Sequence, residues 1–205
     1  MREKDIIMLS KVLSAVFSPF YLPVVGLLAL FAFSYLSLLH WPVKLYIFIV
    51  VFLFTVMLPT TLIRLYARYQ GWSKQDMAVK DNRMIPYVIS ILCYFCCYYT
   101  LSANHIPYSI KCIVVASLMI QVLCAIINLW WKISTHTAAI GGVMGAVIAF
   151  AEIFSFNPVW WICLVLIMGG IVGTSRLILK LHTLSEVLAG FFLGIICSFV
   201  SILFL

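Results

Sequence analysis

Of the 205 residues, 65% are hydrophobic and 9% are charged, and the mean hydropathy is +1.18. A soluble domain is about half apolar and about one quarter charged, so this composition excludes an ordinary soluble fold and indicates a polytopic membrane protein. The formal charge of +7 does not point to nucleic acid, because the basic side chains sit at the ends of apolar segments and form no continuous run.

At the amino terminus Arg2, Lys4 and Lys11 precede an apolar stretch that continues to Leu39, with Pro19 and Pro23 near its start. No small-residue cleavage site interrupts it, so the pattern predicts a retained first helix, kinked or interfacial at its beginning. A spanning helix needs about 20 apolar residues. That length picks out seven candidate spans, over 13–38, 43–64, 86–103, 108–131, 137–156, 158–175 and 184–204. Pro42, Pro86, Pro107 and Pro158 stand where helices should begin, as suits a residue with no N–H and a fixed φ. The spans over 86–103 and 158–175 are short. The expected architecture is an all-α, polytopic transmembrane helix bundle of six to seven spans, forming a single domain over residues 1–205.

Within the spans, the glycine patterns Gly141-Gly142-x2-Gly145, Gly169-Gly170-x2-Gly173 and Gly190-x3-Gly194 predict close helix packing, and Trp130, Trp131, Trp160 and Trp161 predict an interfacial belt. The seven cysteines, an odd number in apolar stretches, read as small buried residues and not as a disulfide framework. Gln121 and Asn128 read as interhelical hydrogen-bonding groups, and Glu152 as an interfacial carboxylate. His40 and His105 fall in loops on the opposite face from the polar clusters described next.

Alternating the spans puts 11 basic residues, from Arg2 to Lys180, on one face and only Lys44 and Lys111 on the other. The positive-inside rule then places the richer face in the cytoplasm, and the compact chain suits a bacterial inner membrane.

That same face collects three polar clusters. Lys80-Asp81-Asn82-Arg83-Met84-Ile85-Pro86 precedes the third span, Lys132-Ile133-Ser134-Thr135-His136-Thr137 the fifth, and Ser175 to Glu186 leads into the last. A charged residue at a helix centre costs about 2.5–3.5 kcal/mol, so ionisable groups kept at a membrane boundary are functional candidates. Lys80, Arg83 and Arg176 suit the non-bridging oxygens of a phosphate, with Lys74 an alternative in the first cluster. Ser134 and nearby amides at a helix start add neutral donors. His182 and Glu186 share a helix face if the last helix starts near His182, so the carboxylate can fix the imidazole tautomer and free the other nitrogen as a nucleophile. His136 is a second imidazole, suited to protonating a leaving alkoxide. Phosphoryl transfer needs chiefly positioning and charge stabilisation, which these groups can supply without a metal. Each residue alone has a plainer reading: snorkelling flank cations for Lys80 and Arg83, a helix cap for His136, an orientation anchor for Arg176. The combination Ser-Arg-x5-His-x3-Glu does not reduce to those.

With these residues the chain resembles the type 2 phosphatidic acid phosphatase family of membrane lipid phosphatases, related in core to vanadium haloperoxidases. The family pattern is K-x6-R-P, then P-S-G-H, then S-R-x5-H-x3-D. Ser175, Arg176, His182 and Glu186 match the third motif, with glutamate for aspartate. Ser134 and His136 match the second loosely, and Arg83 with Lys80 and Pro86 gives a degenerate first; the likeness covers about residues 74–190. The resemblance implies that His182 attacks phosphorus, Glu186 orients it, His136 protonates the leaving hydroxyl, and Lys80, Arg83, Ser134, Thr135 and Arg176 hold the phosphate. It implies no metal and no cofactor; the expected partners are a lipid phosphate and the membrane, with neither nucleic acid nor an obligate protein partner. Expected substrates are phosphomonoesters on a phospholipid headgroup, phosphatidylglycerophosphate-like or phosphatidate-like; a prenyl diphosphate is the alternative, and a non-enzymatic organic-anion transporter the alternative from another class.

Overall fold

The computed structural model describes residues 3–72 and 81–204. In chain order it contains α1 (Glu3–Val16), α2 (Leu22–Phe33), a 3-10 turn (Tyr35–Leu38), α3 (Trp41–Phe52), a π-helical turn (Leu53–Met57) and α4 (Leu58–Tyr69). A second 3-10 turn (Asp81–Arg83) leads into α5 (Met84–Ala103), followed by α6 (Tyr108–Asn128), α7 (Thr135–Phe154), α8 (Val159–Ile178) and α9 (Leu184–Phe204). The described residues contain no strand, so the chain is all-α. Six helices are long and apolar enough to cross a bilayer, with α3, the π turn and α4 counting as one continuous stretch, Trp41–Tyr69.

The expected first span, 13–38, is instead divided. Phe17 to Tyr21 leave the helical path around Pro19, which has no N–H to continue the ladder. Upstream lies α1, which carries Lys4, Asp5 and Lys11. Downstream lies α2, whose 12 residues rise about 18 Å against about 30 Å of hydrocarbon. The second span is longer than expected because Pro59 is absorbed: its missing donor falls just after the π turn, and the Thr55, Thr60 and Thr61 hydroxyls donate to carbonyls one turn earlier.

The centre of the bundle is the α7–α9 pair, packed along its length. Glycines permit that approach. A Cβ on Gly141, Gly145 or Gly194 would run into backbone of the facing helix, and one on Gly190 would stand 2.6 Å from the Ser134 carbonyl oxygen. The expected Gly169–Gly173 face is only partly used: Gly169 and Gly173 touch Phe191 and Val187 of α9, whereas Gly170 faces open space. All seven cysteines are free. Trp130 and Trp131 are exposed at one end of the bundle, Trp160 and Trp161 at the other. The start of α5, the α6–α7 junction and the α8–α9 junction lie at the same end, because each pair of spans crosses and returns. That end holds the three polar clusters.

Candidate active site

The α8–α9 junction is built by two capping motifs. At the end of α8 Lys180 adopts φ 52°, and the N–H groups of Lys180 and Leu181 donate to the carbonyls of Leu177 and Arg176. This left-handed turn ends the helix, reverses the chain and brings residue 182 back toward Arg176. At the start of α9 the Thr183 hydroxyl accepts from the Glu186 N–H (3.4 Å), while the Thr183 N–H donates to Glu186 Oε2 (3.4 Å). This is the reciprocal cap that a Thr-x-x-Glu sequence allows. The same Oε2 accepts from His182 Nδ1 at 2.7 Å, and both side chains are buried. A carboxylate only accepts, so the Nδ1 position carries the hydrogen and Nε2 holds the free lone pair.

The second cluster is fastened to this junction. The Ser134 N–H donates to the Glu186 carbonyl at 3.4 Å, and the Gly190 seam draws α9 against Ser134 and Thr137. Ser134 is fully buried, and its hydroxyl has no hydrogen-bond partner. His136, in the first turn of α7, bonds through Nε2 to the Ser14 carbonyl of α1 at 3.1 Å, and its Nδ1 is buried without a partner. Arg176 is buried; Nη1 donates to the Ser14 hydroxyl, and Nε is buried without a partner.

Arg83, Thr135, His136 and Arg176 line one cavity of about 290 Å³. His182 and Glu186 lie beside it rather than in its wall, with the His182 ring within electrostatic reach of His136. Burial, then the charges of Arg83, Arg176 and Lys132, push the His182 imidazole down from 6.5 to about 3, against the pull of the adjoining Glu186 carboxylate. Burial also lowers Arg83, which Tyr87 and Glu186 pull the other way. Lys132 is lowered by burial and by its fellow cations Arg83 and Arg176, and raised by Glu186. One carboxylate thus faces three cations, an excess of positive charge that suits a phosphate.

The structure therefore brings together Arg83, Ser134, Thr135, His136, Arg176, His182 and Glu186. Lys80 and its alternative Lys74 lie outside the described residues. Lys132 was seen only as part of a cluster, and Tyr87, one turn beyond Arg83, was missed. The Tyr87 hydroxyl is buried without a partner, and its side chain lines the same cavity. Its spacing of four from Arg83 was the signal that could have found it. Ser14 was missed altogether.

A second, apolar cavity of about 380 Å³ runs between α2, α6 and α7. It shares Pro19, Gln121 and Thr135 with the polar one, so the two adjoin. Gly26, Ala116, Gly142 and Ala146 are among the residues of its wall.

A cation-lined pocket with a carboxylate-paired imidazole beside it thus lies at one end of a bundle of membrane-spanning length, next to an apolar cavity. Residues 130–205 match the family model of the PAP2 superfamily, so this part of the chain is similar to the type 2 phosphatidic acid phosphatases. The matched segment holds the second and third motifs and runs to the end of the chain, whereas Arg83 and the first cluster fall outside it. No curated protein and no solved structure matches the chain. The match and the six apolar spans support a membrane phosphatase of the PAP2 type.

Proposed function

We propose that the protein hydrolyses a phosphomonoester on a phospholipid headgroup through a phosphohistidine on His182. Nε2 of His182 attacks phosphorus and the P–O ester bond breaks. His136 gives a proton to the departing oxygen. Water then attacks the phosphohistidine, the P–N bond breaks, and the proton that water loses returns to His136 as inorganic phosphate leaves. Arg83, Lys132 and Arg176 hold the phosphate oxygens with Ser134 and Thr135, and Lys80 is assigned the same role from the motif alone.

The observation that carries this reading is the buried His182–Glu186 pair, 2.7 Å apart, set among three cations. A transporter of organic anions would use the cations but has no need for an imidazole held neutral with one nitrogen free. The apolar cavity adjoining the cation-lined pocket supports a lipid substrate. The excess of basic residues on the site face supports a cytoplasmic mouth, where newly made headgroup phosphates are presented.

The test offers purified protein phosphatidylglycerophosphate, phosphatidate and a prenyl diphosphate in detergent, with chelator present. Phosphate release from a headgroup monoester that disappears in His182→Ala is the expected result. Faster release from the prenyl diphosphate would shift the substrate class, and no release from any of the three would overturn the enzyme.

A further inference from the structure

Helix α1 lies outside the three motifs and outside the matched segment, yet it touches two of their side chains. It ends at Val16, where Phe17 to Tyr21 turn away around Pro19, and the carbonyls of a helix's last turn lack partners within the helix. The Ser14 carbonyl, in that last turn, accepts from His136 Nε2 at 3.1 Å, across 122 residues of sequence. The Ser14 hydroxyl accepts from Arg176 Nη1, across 162 residues. A carbonyl oxygen has no hydrogen to give, so the His136 proton in this contact sits on Nε2.

What α1 leaves untouched matters as much. On each of the two residues one polar atom is tied to Ser14 and another is buried with no partner: Nδ1 of His136 and Nε of Arg176. The Ser134 hydroxyl is in the same condition. Buried polar atoms without partners are rare and call for an explanation, and a phosphate ester bound in the cavity would accept from Arg176 Nε, and from His136 Nδ1 once that nitrogen is protonated. A helix plugging the phosphate site would instead take the groups the substrate needs and leave none of them over.

We propose that Ser14 is a positioning residue of the phosphatase site, its carbonyl holding the His136 Nε2 proton so that Nδ1 is the atom exchanging a proton with the leaving oxygen, and its hydroxyl steering Arg176. With substrate bound, Nδ1 takes up a proton from solvent, gives it to the leaving oxygen as the P–O bond breaks, and takes one back from the water that cleaves the phosphohistidine. The Nε2 proton stays on Ser14 throughout. This rests on the assignment of His136 as the acid. It adds α1, a segment the motifs do not reach, to the catalytic apparatus.

Full-length protein labelled with 15N-histidine, held in micelles near pH 8, reports the tautomer directly; the chain has four histidines, and His136→Asn identifies the resonances. The expected result is an unprotonated Nδ1 and a protonated Nε2 on His136 in the resting enzyme. The opposite tautomer in an active enzyme overturns the inference and leaves the proposed function standing. The expected tautomer in a protein that releases no phosphate sinks the proposed function instead. Kinetics test the hydroxyl separately. Ser14→Ala should raise KM roughly tenfold, the scale of a hydrogen bond to a charged group, with kcat little changed and Ser14→Thr restoring it. A Ser14→Ala enzyme with higher kcat/KM than wild type would make α1 an obstruction, and unchanged kinetics would remove Ser14 from Arg176's support; either result overturns the steering role.

Discussion

Gly190→Ala is the substitution whose consequence is most fully fixed by the geometry. A Cβ there would stand 2.6 Å from the Ser134 carbonyl oxygen and 2.7 Å from the Thr137 hydroxyl. Ordinary contact begins at 3.4 Å, so α9 must retreat from the start of α7 by about 0.8 Å. The oxygen cannot swing aside, because it belongs to backbone and already accepts the Ala138 N–H at 3.0 Å. The retreat falls one turn beyond Glu186, whose carbonyl takes the Ser134 N–H and whose carboxylate holds His182. It therefore opens the gap between His182, the proposed nucleophile, and the residues proposed to hold phosphate. Displacements of about 1 Å cost on the order of 10²-fold in rate, while overpacking costs about 1–3 kcal/mol of stability. Gly170→Ala is the control, since nothing lies within 4 Å of a Cβ there. Phosphate release by both variants, alongside thermal unfolding in detergent, gives the comparison. The expected outcome is kcat down by about two orders of magnitude for Gly190→Ala in protein that still elutes as a monodisperse peak, and wild-type kinetics for Gly170→Ala. A Gly190→Ala enzyme with wild-type kcat would refute the reasoning that the helix seam sets the distance across the site.

Glu186→Gln keeps the cap but loses the charge and can present its amide to His182, so kcat should fall by about 10²–10⁴ in a Pi-release assay, as when other carboxylate–histidine pairs lose their charge. Lys132→Met removes a cation from the cluster around His182, and should raise KM for the lipid phosphate by about tenfold with a smaller change in kcat. The His182 imidazole, held near 3 in the folded protein against an ordinary 6.5, should not titrate between pH 8 and pH 5 in a 15N-histidine spectrum. The sign for stability follows. Below pH 6.5 the unfolded chain binds a proton that the folded chain refuses until about pH 3, so this residue makes the protein progressively less stable as pH falls across that window. His182→Gln should flatten that part of the unfolding-temperature profile; an unchanged slope would show that the imidazole is not held neutral.

The site was legible in the sequence where chemistry is local. The pairing of His182 with Glu186 follows from a spacing of four at a helix start, and Arg176 precedes them by one helix end and one turn. The convergence of Arg83, Ser134 and Arg176 followed from counting spans, because a membrane forces consecutive helices to return to the same face. The glycine seam was legible as well, although sequence could not say that Gly170 would face open space while Gly190 met the Ser134 carbonyl. The first helix was misread for a physical reason. Hydropathy over 13–38 averages across Ser18 and Pro19, so it detects enough apolar length to cross; the prolines signal a kink near the start, but not that α1 ends there. Ser14 stayed invisible because its contacts are long-range and use a backbone carbonyl, an atom that every residue carries.

The glutamate at position 186, where the family pattern has aspartate, is explained by the two tasks its Oε2 performs. It accepts from the Thr183 N–H, closing the cap of α9, and from His182 Nδ1 at 2.7 Å. A reciprocal cap is built with Glu or Gln at the third helical position, since the side chain must reach back over a full turn. With Thr183 as the cap, the longer side chain lets a single carboxylate fix both the helix start and the imidazole. His182 is thereby tied to the element that carries Gly190, and through Gly190 to Ser134. Stability of the α9 start and orientation of His182 are consequently one structural variable in this chain. Glu186→Asp, although it restores the family residue, should loosen both together, and a second change at Thr183 to a residue that caps without a reciprocal partner, such as Asp, should recover the helix start but not the rate.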